Sequence, residues 1–66
     1  MPTGRISRVS YQHNFGIIQP DEGGQDVFVN LDQLEDVFPA IGLRLAFDLA
    51  GPADRPYAIN VRQAED

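Results

Sequence analysis

Turn-forming residues interrupt this chain so often that no long helix fits between them. A cluster of proline, aspartate and paired glycines lies at residues 20–24, Pro39 and Gly42 mark a second break, and residues 51–56 (G-P-A-D-R-P) form a third. The chain has no cysteine, so neither disulfides nor thiolate metal sites reinforce its 66 residues. A single domain that rests on packing and backbone pairing alone is therefore expected.

The segments between these breaks have the patterns of short β-strands. Residues 5–10 (R-I-S-R-V-S) carry apolar residues three positions apart, which favours a bent strand over a helix. Residues 43–49 alternate with period two, and we expect the four apolar side chains of that segment to be buried, namely Leu43, Leu45, Phe47 and Leu49. We predict five strands, at residues 5–10, 15–19, 26–30, 43–49 and 57–62, and expect the chain end at 62–66 to fray.

The third predicted strand carries an aromatic residue on its polar side. Period-two alternation places Val27 and Val29 on one face of this strand. Phe28 lies on the other face, together with Asp26 and Asn30. A phenylalanine that shares a face with such polar neighbours is expected to be exposed, and exposed rings on a sheet indicate a contact surface.

A single helical turn is predicted after the third strand. Leu31, Leu34 and Phe38 have helical spacing, and Asn30 precedes them as a candidate N-cap. Five short strands with one helical turn after the third describe a small all-β barrel or sandwich.

Charge and side-chain chemistry exclude several classes of function. Ten acidic and five basic residues give a net charge of −5, so any binding to phosphate must be local rather than that of a polycation. All basic residues are arginine, and with one histidine and no lysine or cysteine the chain lacks most nucleophiles, general bases and metal ligands. We predict no enzyme activity, no cofactor and no metal site.

The apolar segments are too short for a membrane protein. No apolar run approaches the roughly 20 residues of a membrane span, and the start, M-P-T-G-R, lacks the apolar stretch of a signal peptide. No membrane association and a cytoplasmic location are therefore expected.

Five segments follow one another in an order and spacing known from one protein family. They are T-G-R-I at 3–6, H-N-F-G-I-I at 13–18, P-D-E-G-G-Q-D-V-F-V-N at 20–30, G-L-R-L-A-F at 42–47 and R-P-Y-A-I-N-V at 55–61. Over essentially the whole chain they resemble the bacterial cold-shock domain. The resemblance implies one domain over residues 1–66, folded as a five-stranded antiparallel OB-type barrel with one short helical turn after strand three.

The resemblance also implies where a site would lie. The family stacks bases of single-stranded RNA or DNA on aromatic residues of strands one to three, and this chain keeps Phe15 and Phe28. A family tryptophan is replaced by Arg8, whose guanidinium can itself stack on a base and bind phosphate. The predicted nucleic-acid-binding residues are Arg8, Tyr11, His13, Phe15, Ile17, Phe28 and Asn30.

Besides Arg8 in place of the tryptophan, Val9, Ile17 and Leu31 stand where the family has phenylalanines, and these replacements lower the expected affinity. Stacking is worth about 1–3 kcal/mol per base, so losing two or three stacks costs roughly 2–9 kcal/mol. We expect a monomer that binds single-stranded nucleic acid weakly and with low sequence preference. In the alternative, the barrel has lost most of this binding and uses the patch of Phe15, Ile17 and Phe28 to bind a protein partner or a second copy of itself.

Overall fold

The computed structural model describes residues 2–34 and 37–64 and contains the five predicted strands. They are β1 (Thr3–Ser10), β2 (Phe15–Pro20), β3 (Val27–Asn30), β4 (Arg44–Ala50) and β5 (Tyr57–Gln63), with one 3-10 turn (Leu31–Gln33) after β3. Gly23 and Gly24 in the turn before β3 have φ angles of 84° and 91°, which residues with a side chain rarely adopt. The predicted all-β fold with one helical turn after the third strand is confirmed.

The sheet closes on itself in the order β1-β2-β3-β5-β4. β1 pairs antiparallel with β2 and β4, β2 with β3, and β4 with β5. The pair that closes the barrel, β3 with β5, is parallel, so the expectation of a wholly antiparallel barrel is corrected at this one contact. Closure pairs the strand edges that an open sheet of this size would expose.

A β-bulge bends β1 at the position that the spacing of its apolar residues indicates. Ile6 is the partner of Ile18 and Arg8 is the partner of Ile17, so β1 has one extra residue, Ser7, between these two pairs. The extra residue reverses the alternation along the strand: Ile6 faces the core, Arg8 is exposed, and Val9 packs against the core again. The predicted bent strand is confirmed, and its bend turns Arg8 outward.

The barrel interior is filled by apolar side chains from all five strands. Six of them are at most 2% exposed, and each contributes about 1.5–3 kcal/mol on full burial; these are Ile6, Ile18, Val27, Val29, Leu45 and Phe47. Leu34, 7% exposed after the 3-10 turn, and Ala58 of β5, 4% exposed, complete the core cluster.

The predicted burial of Leu49 is wrong, and so is the predicted helical position of Phe38. Leu49 is 56% exposed because it lies at an end of the barrel, where it lines an open cavity of about 430 Å³ together with Phe47 and Val27. Phe38 is 75% exposed because the helical turn ends at Gln33, so no helix carries it back to the core. Leu43, which was also expected inside, is partly buried against the core cluster.

β5 is longer at its end than predicted. Arg62 and Gln63 are paired with Ala46 and Leu45 of β4, so β5 continues one residue beyond its predicted end at residue 62. Residues 65–66 lie outside the described part of the chain. No helix within the described residues has the length and apolar character that a membrane crossing requires.

A polar cluster fastens the start of β1 to its neighbours. The Thr3 hydroxyl donates to Oδ2 of Asp21 at 2.6 Å, and Nη2 of Arg44 on β4 donates to the same oxygen at 2.8 Å. These hydrogen bonds, and the charge of Arg44, hold the pKa of Asp21 below its ordinary value. Both partners of the ion pair are partly exposed, so the pair contributes little to the free energy of unfolding.

Candidate nucleic-acid interface

Strands β1, β2 and β3 bring five of the predicted site residues onto one outer surface, which we call the β1–β3 face. The register forms two cross-strand rows: Arg8, Ile17 and Phe28 make up one, and Phe15 and Asn30 lie side by side in the next. Between these rows the chain directs Val29 and the partly buried Val9 toward the core. Alternation on three neighbouring strands therefore separates a barrel core from an open surface.

The two retained aromatic residues are in contact on this face. The rings of Phe15 and Phe28 have centroids 6.1 Å apart and an interplanar angle of 88°, an edge-to-face arrangement. Such pairs are favourable by about 0.5–1.5 kcal/mol, which holds both rings in place. Phe28 is 41% exposed, as its position on the polar side of β3 predicts, and Phe15 is half-buried. A planar ligand would meet two fixed ring surfaces.

Arg8 adds a cation to the row that contains Phe28. It is exposed, and within the described residues its guanidinium forms no hydrogen bond or ion pair with the rest of the chain. Ile17, half-buried, lies between Arg8 and Phe28. A guanidinium without internal partners can stack on a base or donate to phosphate, so this row offers one aromatic ring and one cationic plane separated by an aliphatic side chain.

Asn30 caps the 3-10 turn in addition to lying on the β1–β3 face. Its Oδ1 accepts from the backbone N–H of Asp32 at 2.9 Å and thereby caps the 3-10 turn, as predicted. The same oxygen accepts from Nδ2 of Asn14 at 3.2 Å. Nδ2 of Asn14 also donates to Oδ1 of Asp32 at 3.0 Å, which fixes a carboxylate at the edge of the β1–β3 face.

The two predicted site residues in the turn between β1 and β2 lie in different surroundings. The His13 ring is 6.1 Å from the Phe15 ring, and its Nδ1 is 3.1 Å from the Ser10 hydroxyl, so His13 adjoins the β1–β3 face. Tyr11 instead lies 6.2 Å from the exposed ring of Phe38 and donates its hydroxyl to the carbonyl of Pro39 at 2.9 Å. The structure therefore does not bring Tyr11 into contact with the Phe15–Phe28 pair.

Two exposed aromatic residues were not among the predicted site residues. The spacing of Phe38 predicted a helical position, but Phe38 lies beyond the 3-10 turn and its ring is the partner of Tyr11. Tyr57 is 45% exposed and is the register partner of Phe28 across the closing pair. Its alternation with the buried Ala58 could have identified Tyr57 as outward-facing, but only barrel closure shows that it adjoins Phe28.

The β1–β3 face is an open surface rather than a pocket. None of the predicted site residues lines the cavity of about 430 Å³ at the barrel end. Among residues 2–34 and 37–64, no three metal-ligating side chains come together. An open face with two rings, one cation and few carboxylates suits a ligand that is extended, planar in its repeating parts and negatively charged.

Comparison with known proteins finds similarity over most of the chain. The chain is 35% identical to the Cold shock-like protein CspA of Rickettsia typhi (strain ATCC VR-144 / Wilmington), over 89% of this chain and 89% of that protein. No family model matches the chain.

Proposed function

Because this chain belongs to the cold-shock protein family, we propose that it binds single-stranded RNA or DNA by stacking bases on the β1–β3 face. The observation that carries the proposal is the edge-to-face pair of Phe15 and Phe28 on the outer surface, with Arg8 in the same cross-strand row as Phe28. Members of this family are binding proteins rather than enzymes, in agreement with the poor inventory of catalytic side chains.

Stacking gives this interaction its low sequence preference. Every base has a planar face that can lie against an aromatic ring, so Phe15 and Phe28 accept purines and pyrimidines alike. Arg8 adds attraction to the phosphate backbone, which carries no sequence information. The proposed activity is therefore that of a protein that holds weakly structured single strands open by mass action.

The composition of the β1–β3 face supports the proposal of a reduced affinity. Ile17 occupies the centre of the row that contains Arg8 and Phe28, where it offers apolar surface but no π-system. Asp32 places a negative charge at the edge of the face, and the chain as a whole carries a net charge of −5. Both charges oppose the approach of a polyanion.

A titration followed by backbone NMR tests this proposal. A short oligothymidylate is added to the labelled protein at low and at moderate salt. We expect shifts concentrated at Arg8, Phe15, Phe28 and Asn30, and weaker binding at the higher salt concentration because phosphate contacts release counterions. The proposal is rejected if millimolar oligonucleotide shifts no resonance of the β1–β3 face.

The same titration separates the alternative function. If the patch of Phe15, Ile17 and Phe28 serves a protein partner or a second copy of the chain instead, the oligonucleotide leaves these resonances unchanged. Self-association would be seen as concentration-dependent shifts at the same residues in the absence of any ligand.

A further inference from the structure

We infer that Tyr57 extends the stacking surface of the β1–β3 face onto β5, where its ring takes one further base of a bound single strand. This inference rests on the proposed function and adds a fourth strand to the surface that performs it. The juxtaposition of Phe28 and Tyr57 across the closing strand pair carries the inference.

The register aligns Tyr57 with the row that crosses the β1–β3 face. Arg8 is the partner of Ile17, Ile17 of Phe28, and Phe28 of Tyr57, so one row runs across four strands. Neighbouring strands lie about 4.7–4.9 Å apart, and paired residues direct their side chains to the same side of the sheet. Tyr57 and Phe28 are 45% and 41% exposed, in agreement with a shared outer surface.

Backbone contacts fix this end of β5 against β3. The N–H of Phe28 donates to the carbonyl of Pro56 at 3.1 Å, directly before Tyr57. The strand that carries the ring is thus hydrogen-bonded to the strand that carries the neighbouring ring. The backbone that carries the ring is therefore already ordered before a ligand binds, which lowers the entropy cost of binding.

The residues around Tyr57 support its ring without covering it. Its partner on the other side, in β4, is the small residue Ala50. Gly51 has a φ of +86°, and a Cβ built on it would lie 2.6 Å from Cε2 of Tyr57, so the ring packs directly on a backbone that has no side chain. Two small residues therefore support one edge of the ring and leave almost half of the side chain accessible.

The chemistry of the position suits a base better than a phosphate. A phenol ring gives a π-surface for stacking, as Phe28 does in the next strand. The row then presents a cation at one end and two aromatic rings at the other, with Ile17 between them. A bound strand that follows the row across the barrel would meet Tyr57 directly beyond Phe28.

Affinity as a function of oligonucleotide length tests the inference. Dissociation constants are measured for the wild type and for Tyr57→Leu and Tyr57→Phe with a series of oligothymidylates of increasing length. Leucine keeps apolar bulk against Gly51 but removes the π-surface, whereas phenylalanine keeps the ring. Ile59→Ala is the matched control, because Ile59 is also exposed on β5 but is paired with Asp48 of β4.

The expected result is a loss that depends on length and on the ring. Tyr57→Leu should bind the longer oligonucleotides about fivefold to 150-fold more weakly than the wild type, and its affinity should stop rising one nucleotide earlier in the series. Tyr57→Phe and Ile59→Ala should bind as the wild type does.

Two results would overturn the inference while the proposed function stands: wild-type affinity of Tyr57→Leu at every length, or an equal loss in Ile59→Ala. If the wild type binds no oligonucleotide of any length, the proposed function fails, and the role of Tyr57 fails with it.

Discussion

Replacing Phe28 with alanine removes the exposed ring on which the proposed function depends most. One base loses its stacking partner, so binding should weaken by about 1–3 kcal/mol, which is about fivefold to 150-fold in the dissociation constant. The substitution removes nothing from the innermost core, because Phe28 points outward from β3 while its neighbours Val27 and Val29 fill the interior.

The cost to the fold can be estimated from the same contacts. Phe28→Ala loses the edge-to-face pair with Phe15, about 0.5–1.5 kcal/mol. It also loses the covered part of a side chain that is 41% exposed, which is about half of the 1.5–3 kcal/mol for a fully buried ring. A chain of 66 residues has a free energy of unfolding of about 3–10 kcal/mol, so the variant should remain folded, with a melting temperature lower by about 4–8 °C for each kcal/mol lost.

A second variant separates the stack from the fold. Phe28→Leu keeps most of the apolar bulk and loses the π-surface, so it should bind nearly as weakly as Phe28→Ala while melting closer to the wild type. Leu49→Ala, at the barrel end, is the control for an exposed apolar residue outside the β1–β3 face. Fluorescence anisotropy with a labelled oligothymidylate gives the dissociation constants, at a temperature where circular dichroism shows every variant folded.

The reasoning is refuted if Phe28→Leu is folded and binds as tightly as the wild type. It is refuted as well if Phe28→Ala lowers the free energy of unfolding by clearly more than the roughly 1–3 kcal/mol expected for a ring on the outer surface, because a larger loss would place the ring in the core.

Three further predictions follow from the contacts described above. Arg8→Ala should weaken binding and lower the slope of log affinity against log salt by about 0.7 if Arg8 makes one phosphate contact, while Arg8→Lys should keep the slope and lose the stack, as salt titrations would show. Asp32→Asn keeps an acceptor for Asn14 and removes a negative charge from the edge of the β1–β3 face, so the dissociation constant for the oligonucleotide should fall by about twofold. A dissociation constant equal to that of the wild type would show that this carboxylate does not face the bound nucleic acid. The pKa of Asp21 is lowered by hydrogen bonds from Thr3 and Arg44, so its contribution to stability is fully present above its ordinary pKa of about 4 and is lost as the pH falls through the lowered value. Acid unfolding of Asp21→Asn should therefore lack the part of the pH dependence that lies below about pH 4, and identical profiles for the two proteins would contradict this assignment.

β1 and β5 each contain a register shift, but only the shift in β1 could be predicted from the sequence. In β1 the inward residues Ile6 and Val9 are three positions apart with only polar residues between them, so the departure from period two is visible in the sequence. In β5 the register shift lies where Asn60 adopts a φ of +52°, a conformation that asparagine tolerates. The apolar Ile59 precedes Asn60 and faces outward, so the pattern of β5 gives no sign of the bend.

The candidate site was predictable only in part, for a related reason. Alternation along β3 is a property of that strand alone, and it correctly placed Phe28 outside. That Phe28 adjoins Tyr57 depends on a parallel contact between strands far apart in the sequence, and no local pattern specifies that contact. The helical spacing of Leu31, Leu34 and Phe38 predicted that these residues share one face of a helix, but the 3-10 turn ends at Gln33, before Phe38.

The bulge in β1 connects the fold to the proposed activity. If β1 had no bulge and Ser7 took an ordinary place in the strand, strict alternation from the inward-facing Ile6 would direct Arg8 into the barrel, where an unpaired guanidinium is strongly unfavourable. The bulge instead turns Arg8 to the outside and lets Val9 return to the core, so one backbone irregularity preserves apolar packing and creates the cationic end of the row. Within the described residues the chain has one 3-10 turn and no longer helix, so the proposed binding surface depends on which strand residues face outward, and in β1 the bulge decides that.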